Sequence, residues 1–370
     1  MKHFSSILTS AVILFGQSNN FFKIPVLNFN NRQDIQVIVD KETDIYLGHP
    51  STVLLEDGKT ILVVYPKGHG SGEIIYKRSL DGGKIWSNRL SVPENWSTSK
   101  EVPTIHRVID KNGKKRLIIW SGLYPARLAI SEDNGLTWSP LKKVGNWGGI
   151  VLMGSVVALK TSGHYLAMFH DDGRFITKDG KRTGIFTLYK TNSTDGGLTW
   201  SHPIGIYSNS KIHLCEPGIV RSPDGNQLAM LLRENSRTQN SQIMFSNNEG
   251  ETWSDPKELP LELTGDRHTV KYTKDKKLFI SFRDMAKNSP TKGDWVAWVG
   301  SYQDLTDNRL GEYRILIKNN YNEWDSSYPG VELLPTGEIV TTTYGHWTKG
   351  EMPYIMSVRL NLNEIKSILR

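Results

Sequence analysis

Ser193-Thr-Asp195-Gly-Gly197-Leu-Thr-Trp200 decides the fold of this chain, because the same eight-residue pattern occurs four times. The other copies are Ser79-Leu-Asp81-Gly-Gly83-Lys-Ile-Trp86, Ser131-Glu-Asp133-Asn-Gly135-Leu-Thr-Trp138 and Ser246-Asn-Asn248-Glu-Gly250-Glu-Thr-Trp253. The consensus is Ser-x-Asp-x-Gly-x-x-Trp, with Asn248 in place of the acid in the last copy. Each copy suits a tight hairpin turn: the Asp or Asn side chain accepts backbone N–H bonds across the turn, and glycine takes positive φ without steric cost. The Trp is expected to fold back and pack beneath the turn.

Working outward from these turns, a second repeat appears. Apolar alternating runs flank a turn rich in Gly, Asp or Lys at 51–65, 104–120, 155–169, 218–232, 268–282 and 330–344, spaced by roughly 50–60 residues. Each reads as a strand–turn–strand unit. The first four lead through a further strand into a Ser-x-Asp turn, whereas the fifth and sixth are followed by WVAWVGSYQ and PYIMSVRLNL. Six such units with equal spacing predict an all-β, six-bladed β-propeller, an architecture that leaves only short, protected strand edges. Two packed β-sandwiches fit the equal spacing and repeated turns less well. The run IQVIVD at 35–40 is the expected partner for the last blade, closing the ring from the other end of the chain. The expected organisation is a leader over residues 1–20 and one propeller domain over 35–370.

Composition agrees with a globular chain: 38% hydrophobic and 10% aromatic among 370 residues. The net charge of +7 permits an anionic partner, and the chain lacks the long Lys/Arg run of a nucleic-acid arm, so an acidic glycan is preferred. Cys215 is the single cysteine, which excludes a disulfide framework and a cysteine-based metal site. No His/Asp spacing resembles a ligand set, and no Gly-rich phosphate loop precedes a helix; neither metal nor cofactor is expected. The run from Phe4 to Gly16 after Met1-Lys-His has the form of a secretory signal too short to anchor in a bilayer, predicting a secreted or periplasmic monomer without a membrane span.

In a propeller the residues before each innermost strand, and those after the next strand returns, gather over one face of the hub. That places His49, His106, Arg107, Glu216, Arg267, His268 and Tyr328 in one ring. A second ring holds Lys67, His69, Tyr124, Arg127, His170, Asp171, Asp172, Arg174, Arg233, Arg283, Asp284, His346 and Trp347. A funnel with several arginines, a few carboxylates, His and Tyr suits an anionic sugar.

The four turns resemble the Asp boxes of sialidase-type propellers, and the hub residues extend the likeness. Cys215-Glu216-Pro217 and Leu232-Arg233-Glu234 resemble the family's Glu–Arg pair around a hairpin, and Asp325-Ser-Ser-Tyr328-Pro-Gly resembles its tyrosine segment. The resemblance implies Tyr328 as nucleophile, Glu216 as its base and Arg233 as a carboxylate-binding fork, with Arg283 or Lys292 as a later arginine's counterpart. Two positions depart from the pattern. Tyr46-Leu47-Gly48-His49-Pro50 lacks the family's first Arg, and Tyr65-Pro-Lys67-Gly-His69-Gly lacks its acid Asp. His49 and His69 stand in their places.

The chemistry of the residue types is consistent with these roles. A free phenol is a weak nucleophile, so a carboxylate must take or share its proton, and tyrosine nucleophiles are a known departure from the two-carboxylate rule of glycosidases. Three functions follow. The first is an exo-glycosidase of the sialidase type acting on a terminal acidic sugar: Tyr328, Glu216 and an acid drawn from His69, His49, Asp171 or Asp172, with Arg233, Arg267, Arg283, Arg127, Arg174 and Lys67 binding substrate. The second is a lyase on a uronate-containing glycan using His and Tyr, and the third a glycan-binding propeller without catalysis.

Overall fold

The computed structural model describes residues 21–176 and 181–369, so the leader expected over 1–20 lies outside the described residues. The described residues form six small sheets. Blade 1 is built from Ser51–Leu54, Ile61–Pro66 and Ile74–Ser79; blade 2 from Thr104–Ile109, Lys115–Ser121, Arg127–Ser131 and Lys142–Lys143. Blade 3 comprises Ile150–Ala158, Tyr165–Asp171, Thr187–Ser193 and Ile204–Ser208; blade 4 comprises Leu214–Arg221, Leu228–Glu234, Gln242–Ser246 and Lys257–Glu258. Blade 5 takes Gly265–Tyr272, Leu278–Asp284, Trp295–Gly300 and Tyr313–Lys318, and blade 6 takes Gly330–Leu333, Glu338–Gly345 and Tyr354–Asn361. Each innermost strand packs against those of the blades before and after it, and the sixth against the first, so the sheets form a closed ring.

Closure follows the expected route. The strand Gln36–Asp40 pairs antiparallel with Tyr354–Asn361 and supplies the fourth strand of blade 6. The chain contributes to the ring even before residue 35, since Val26–Asn28 adds to blade 5 as a parallel fifth strand alongside Arg314–Leu316.

The second strand of each blade explains how six thin sheets make one core. In blade 4, Leu228, Met230 and Leu232 pack toward blade 3 against Leu166 and Met168, while Ala229 and Leu231 pack toward blade 5 against Ile280 and Phe282. A strand buried on both faces must be apolar at every position, which is why LAMLL reads as a continuous run. The same division places Leu62 and Val64 against Leu117 and Ile119 of blade 2, and Ile118 and Trp120 against Ala167 and Phe169 of blade 3. The core is thus a set of apolar wedges between blades.

The Ser-x-Asp turns lie at the rim and are wired as their residues require. In blade 3 the Asp195 Oδ1 accepts the N–H groups of Leu198 and Thr199, each at 3.0 Å, and the Ser193 hydroxyl at 2.8 Å. Ser193 Oγ accepts the N–H of Gly197, which sits at φ 82°. Trp200 Nε1 donates back to the Gly197 carbonyl at 2.9 Å, so the indole closes under its own turn. Asn248 serves in the fourth copy because its amide oxygen accepts the N–H of Thr252 at 2.9 Å.

Candidate active site

Tyr328 and Glu216, separated by 112 residues, meet at the hub, where the phenol donates a very short hydrogen bond to Glu216 Oε1. Arg233 Nη1 donates to the same oxygen at 2.9 Å and stands 3.5 Å from the phenol oxygen. Glu216 is 3% exposed and Tyr328 8%, so this exchange takes place out of bulk water. Burial and the neighbouring Glu216 charge push the Tyr328 phenol well above its usual range, against Arg233 and Arg283. Burial also opposes the charge on Glu216, but Arg233 and the Tyr328 hydrogen bond outweigh it and hold the carboxyl below its usual range. The proton therefore rests on the phenol and Glu216 is the charged acceptor, an arrangement in which a carboxylate could take a phenol's proton.

Backbone strain aims these groups. His49, Met153, Glu216, Arg267 and Ser327 adopt φ between 53° and 60°, each just ahead of or within the start of an innermost strand. Blades 3, 4 and 5 carry a β-bulge at this point. Left-handed backbone at a non-glycine residue costs energy and persists where the surroundings enforce it.

Asp266, not among the expected site residues, organises the arginines. Arg237 grips it bidentately at 2.6 and 2.7 Å, Arg283 bonds it through Nε at 3.1 Å, and Arg233 Nε approaches to 3.4 Å. Although burial opposes its charge, Arg233, Arg283 and Arg237 keep this carboxyl ionised far below its usual range. Asp266 and the Glu216 carboxylate on Arg233 set two negative charges against three guanidiniums, which leaves the cluster positive. It borders a pocket of about 510 Å³ lined by Arg233, Arg237, Arg283, Lys292, Glu323 and Trp324, together with Met285. Arg237, four positions beyond Arg233 and itself at φ 60°, adds a third guanidinium to this cluster from just past the end of blade 4's second strand.

Asp325 is the second organiser. Its Oδ1 accepts the phenols of Tyr46 at 2.7 Å and Tyr344 at 3.1 Å, and Oδ2 lies 3.2 Å from His346 Nε2. His69 Nδ1 stands 3.7 Å from Asp325 Oδ1, with the His69 side chain 55% exposed and its ring 6.5 Å from Trp324, a wall of the pocket. His49 lies deeper, its ring 4.7 Å from Tyr328 and its Nε2 3.1 Å from the Tyr344 hydroxyl. Burial first, then His69 and the charges of Arg283 and Arg267, pushes its imidazole well below the usual range, so it is neutral at pH 7.

The remaining expected residues are placed elsewhere. Arg267 lies 5.6 Å above the Tyr328 ring but lines the hub channel rather than the arginine pocket. Asp171 Oδ2 accepts the N–H groups of Gly173 and Phe175, holding its own loop, while Asp172 pairs with Arg174 at 2.7 Å and Arg182 at 2.9 Å. Arg127 donates to Thr98, and Lys67 pairs with Glu42 at 3.0 Å. Among the described residues no group of His, Cys, Asp and Glu is arranged to hold a metal, and no helix is long and apolar enough to cross a membrane.

Comparison with known proteins places this geometry. Residues 114–282 match the model of the BNR repeat-like domain. No curated protein sequence matches the chain. Among solved structures, a protein of unknown function from Dyadobacter fermentans superposes with a TM-score of 0.68 at 15% identity, covering 88% of this chain and 97% of its own. The intramolecular trans-sialidase of Ruminococcus gnavus gives 0.61 at 15% identity, over 87% of this chain and 95% of its own. A Hadza microbial sialidase gives 0.62 at 16% identity, over 86% of this chain and 66% of its own. The chain thus carries a BNR repeat-like match over residues 114–282 and has the six-bladed propeller fold that these sialidases share.

Proposed function

We propose that the protein is an exo-glycosidase that hydrolyses a terminal acidic sugar, sialic acid or a close relative, from a glycan. The observation that carries this reading is the buried Tyr328–Glu216 hydrogen bond with Arg233 on the shared oxygen. The sialidases and trans-sialidase of the same fold add support. The sugar carboxylate would lie against Arg233, Arg237 and Arg283, where bidentate N–H donors match its geometry. Tyr328 Oη attacks the anomeric carbon as its proton passes to Glu216 Oε1, and the bond to the leaving oxygen breaks. His69, beside Trp324 of the pocket wall and backed by Asp325, protonates that oxygen. Water then attacks the anomeric carbon, giving its proton to His69, as the bond to Tyr328 breaks and the departing phenolate takes its proton back from Glu216.

The test is incubation with sialosides and with uronate-rich polysaccharides, followed by mass spectrometry. Two products whose masses sum to the substrate plus one water support hydrolysis. An unsaturated uronate absorbing in the ultraviolet would mean elimination instead, for which the Tyr46, Tyr344 and His69 cluster supplies acid–base groups. His69→Ala should cost about 10²–10⁴-fold on natural glycosides, the usual worth of a positioned acid, and far less on aryl glycosides whose leaving group needs no proton. Equal losses on both substrates would remove His69 from that role.

A further inference from the structure

Arg267 differs from the other arginines of the hub. Arg233, Arg237 and Arg283 are bound to Glu216 or Asp266, whereas Arg267 makes no hydrogen bond and no ion pair to any described residue. It is 8% exposed, and its Nη1 is wholly buried without a protein partner. A guanidinium cannot shed its charge by losing a proton, so burial without a counter-charge leaves an energetic debt that neighbouring groups must cover. The carboxylates that act on it across the hub, without touching it, are Glu216, which is already engaged by Arg233 and Tyr328, and the buried Glu101, which accepts the Val102 and Val151 N–H groups.

Below the Tyr328 level, Arg267 borders a cavity of about 230 Å³ along the propeller axis, lined also by His106, Ser155, His268, Lys271 and Glu332. The charges further down this channel cancel: Lys271 Nζ lies 3.4 Å from Glu332, whose other oxygen accepts the Thr52 hydroxyl at 2.9 Å. His106 and His268 are held neutral, burial pushing their imidazoles down to about 3 and about 4. The Ser155 hydroxyl is committed to the Pro217 carbonyl and the Ile219 N–H. The channel therefore carries a positive charge on Arg267 that no described residue pairs with directly, beside a space ample for a small anion or several waters.

We propose that the hub channel is a binding site for a small inorganic anion of chloride size, held by the Arg267 guanidinium beneath Tyr328. This site is separate from the pocket that would take the sugar carboxylate and does not depend on the glycosidase reading. The anion sits on the far side of Arg267 from the Tyr328–Glu216 pair, and offsets a buried hub cation that no described residue pairs with directly.

Crystals of the full chain grown in sodium bromide, with data collected at the bromine edge, test the proposal. An anomalous peak in the axial channel in contact with Arg267 is the expected result; a peak confined to the Arg233–Arg237–Arg283 pocket, or well-ordered water alone in the channel, overturns it. In solution, replacing gluconate by chloride at constant ionic strength should raise Tm by roughly 2–4 °C, the scale of a ligand present well above its Kd. Arg267→Met should abolish the channel-dependent part of that rise while Arg267→Lys keeps it. Equal chloride shifts in wild type and Arg267→Met would overturn the site, and if the Met variant does not fold, the bromide map of the wild type decides alone.

Discussion

Tyr328 and Glu216 show how single residues here depend on their surroundings. The phenol is held protonated and the carboxylate charged by the same enclosure, so each residue has its role only because of the other. Glu216→Gln keeps the size and removes the acceptor charge; activity on a sialoside should fall by about 10²–10⁴-fold with binding largely retained. Tyr328→Phe should abolish turnover while leaving Arg233 on Glu216. The pH profile follows from the direction of the Glu216 shift. In the proposed mechanism the ionised carboxylate is the working form; its range is depressed, so kcat/KM should hold as pH falls past the ordinary glutamate value of about 4.3 and drop only below it. An acid limb centred above pH 5 would assign the essential base to another group.

At the scale of the element, the Asp-box turns are rim staples and the chemistry lies elsewhere. Asp195→Ala removes the acceptor for two backbone N–H groups and two hydroxyls and should cost about 1–2 kcal/mol in urea unfolding with unchanged turnover. Asn248→Asp should be close to neutral, since the amide oxygen already does the acceptor's work. Although partial burial opposes their charge, turn hydrogen bonds hold the Asp81, Asp133 and Asp195 carboxyls below the usual range. Their folded values lie below the unfolded ones, so their contribution is complete above the unfolded carboxylate range and is lost as pH falls through the folded values. Circular dichroism melts between pH 5 and pH 3 should show that decline, with a smaller one in Asp195→Ala.

For the whole molecule, the contacts between blades set the stability. Glu101, ahead of blade 2, accepts the Val151 N–H of blade 3 at 2.7 Å and is 6% exposed. Burial pushes its carboxyl up to about 7. A carboxyl that binds its proton more tightly when folded favours the folded state fully at low pH, and that advantage is lost as pH rises from the unfolded value toward about 7. The wild type should therefore lose stability over this window relative to Glu101→Gln, measured by chemical denaturation at pH 5 and pH 8; parallel curves would show that Glu101 does not ionise there.

The repeating turns and doubly apolar strands determined the propeller from the sequence alone, because turn chemistry and strand periodicity are local and recur in every blade. The Glu216, Arg233 and Tyr328 group was also legible, since each stands beside an innermost strand or its return. Asp325 was quoted within the tyrosine segment, three residues before Tyr328, but nothing local marked it as the acceptor for Tyr46 and Tyr344. Asp266 and Arg237 were likewise silent: an acid beside an arginine reads as ordinary surface charge until blades 4 and 5 converge. Left-handed backbone at His49, Glu216 and Arg267 has no sequence mark when the residue is not glycine. Which arginine meets a carboxylate, and which stands alone over the channel, was decided only in three dimensions, because pairing at the axis depends on distances between separate blades.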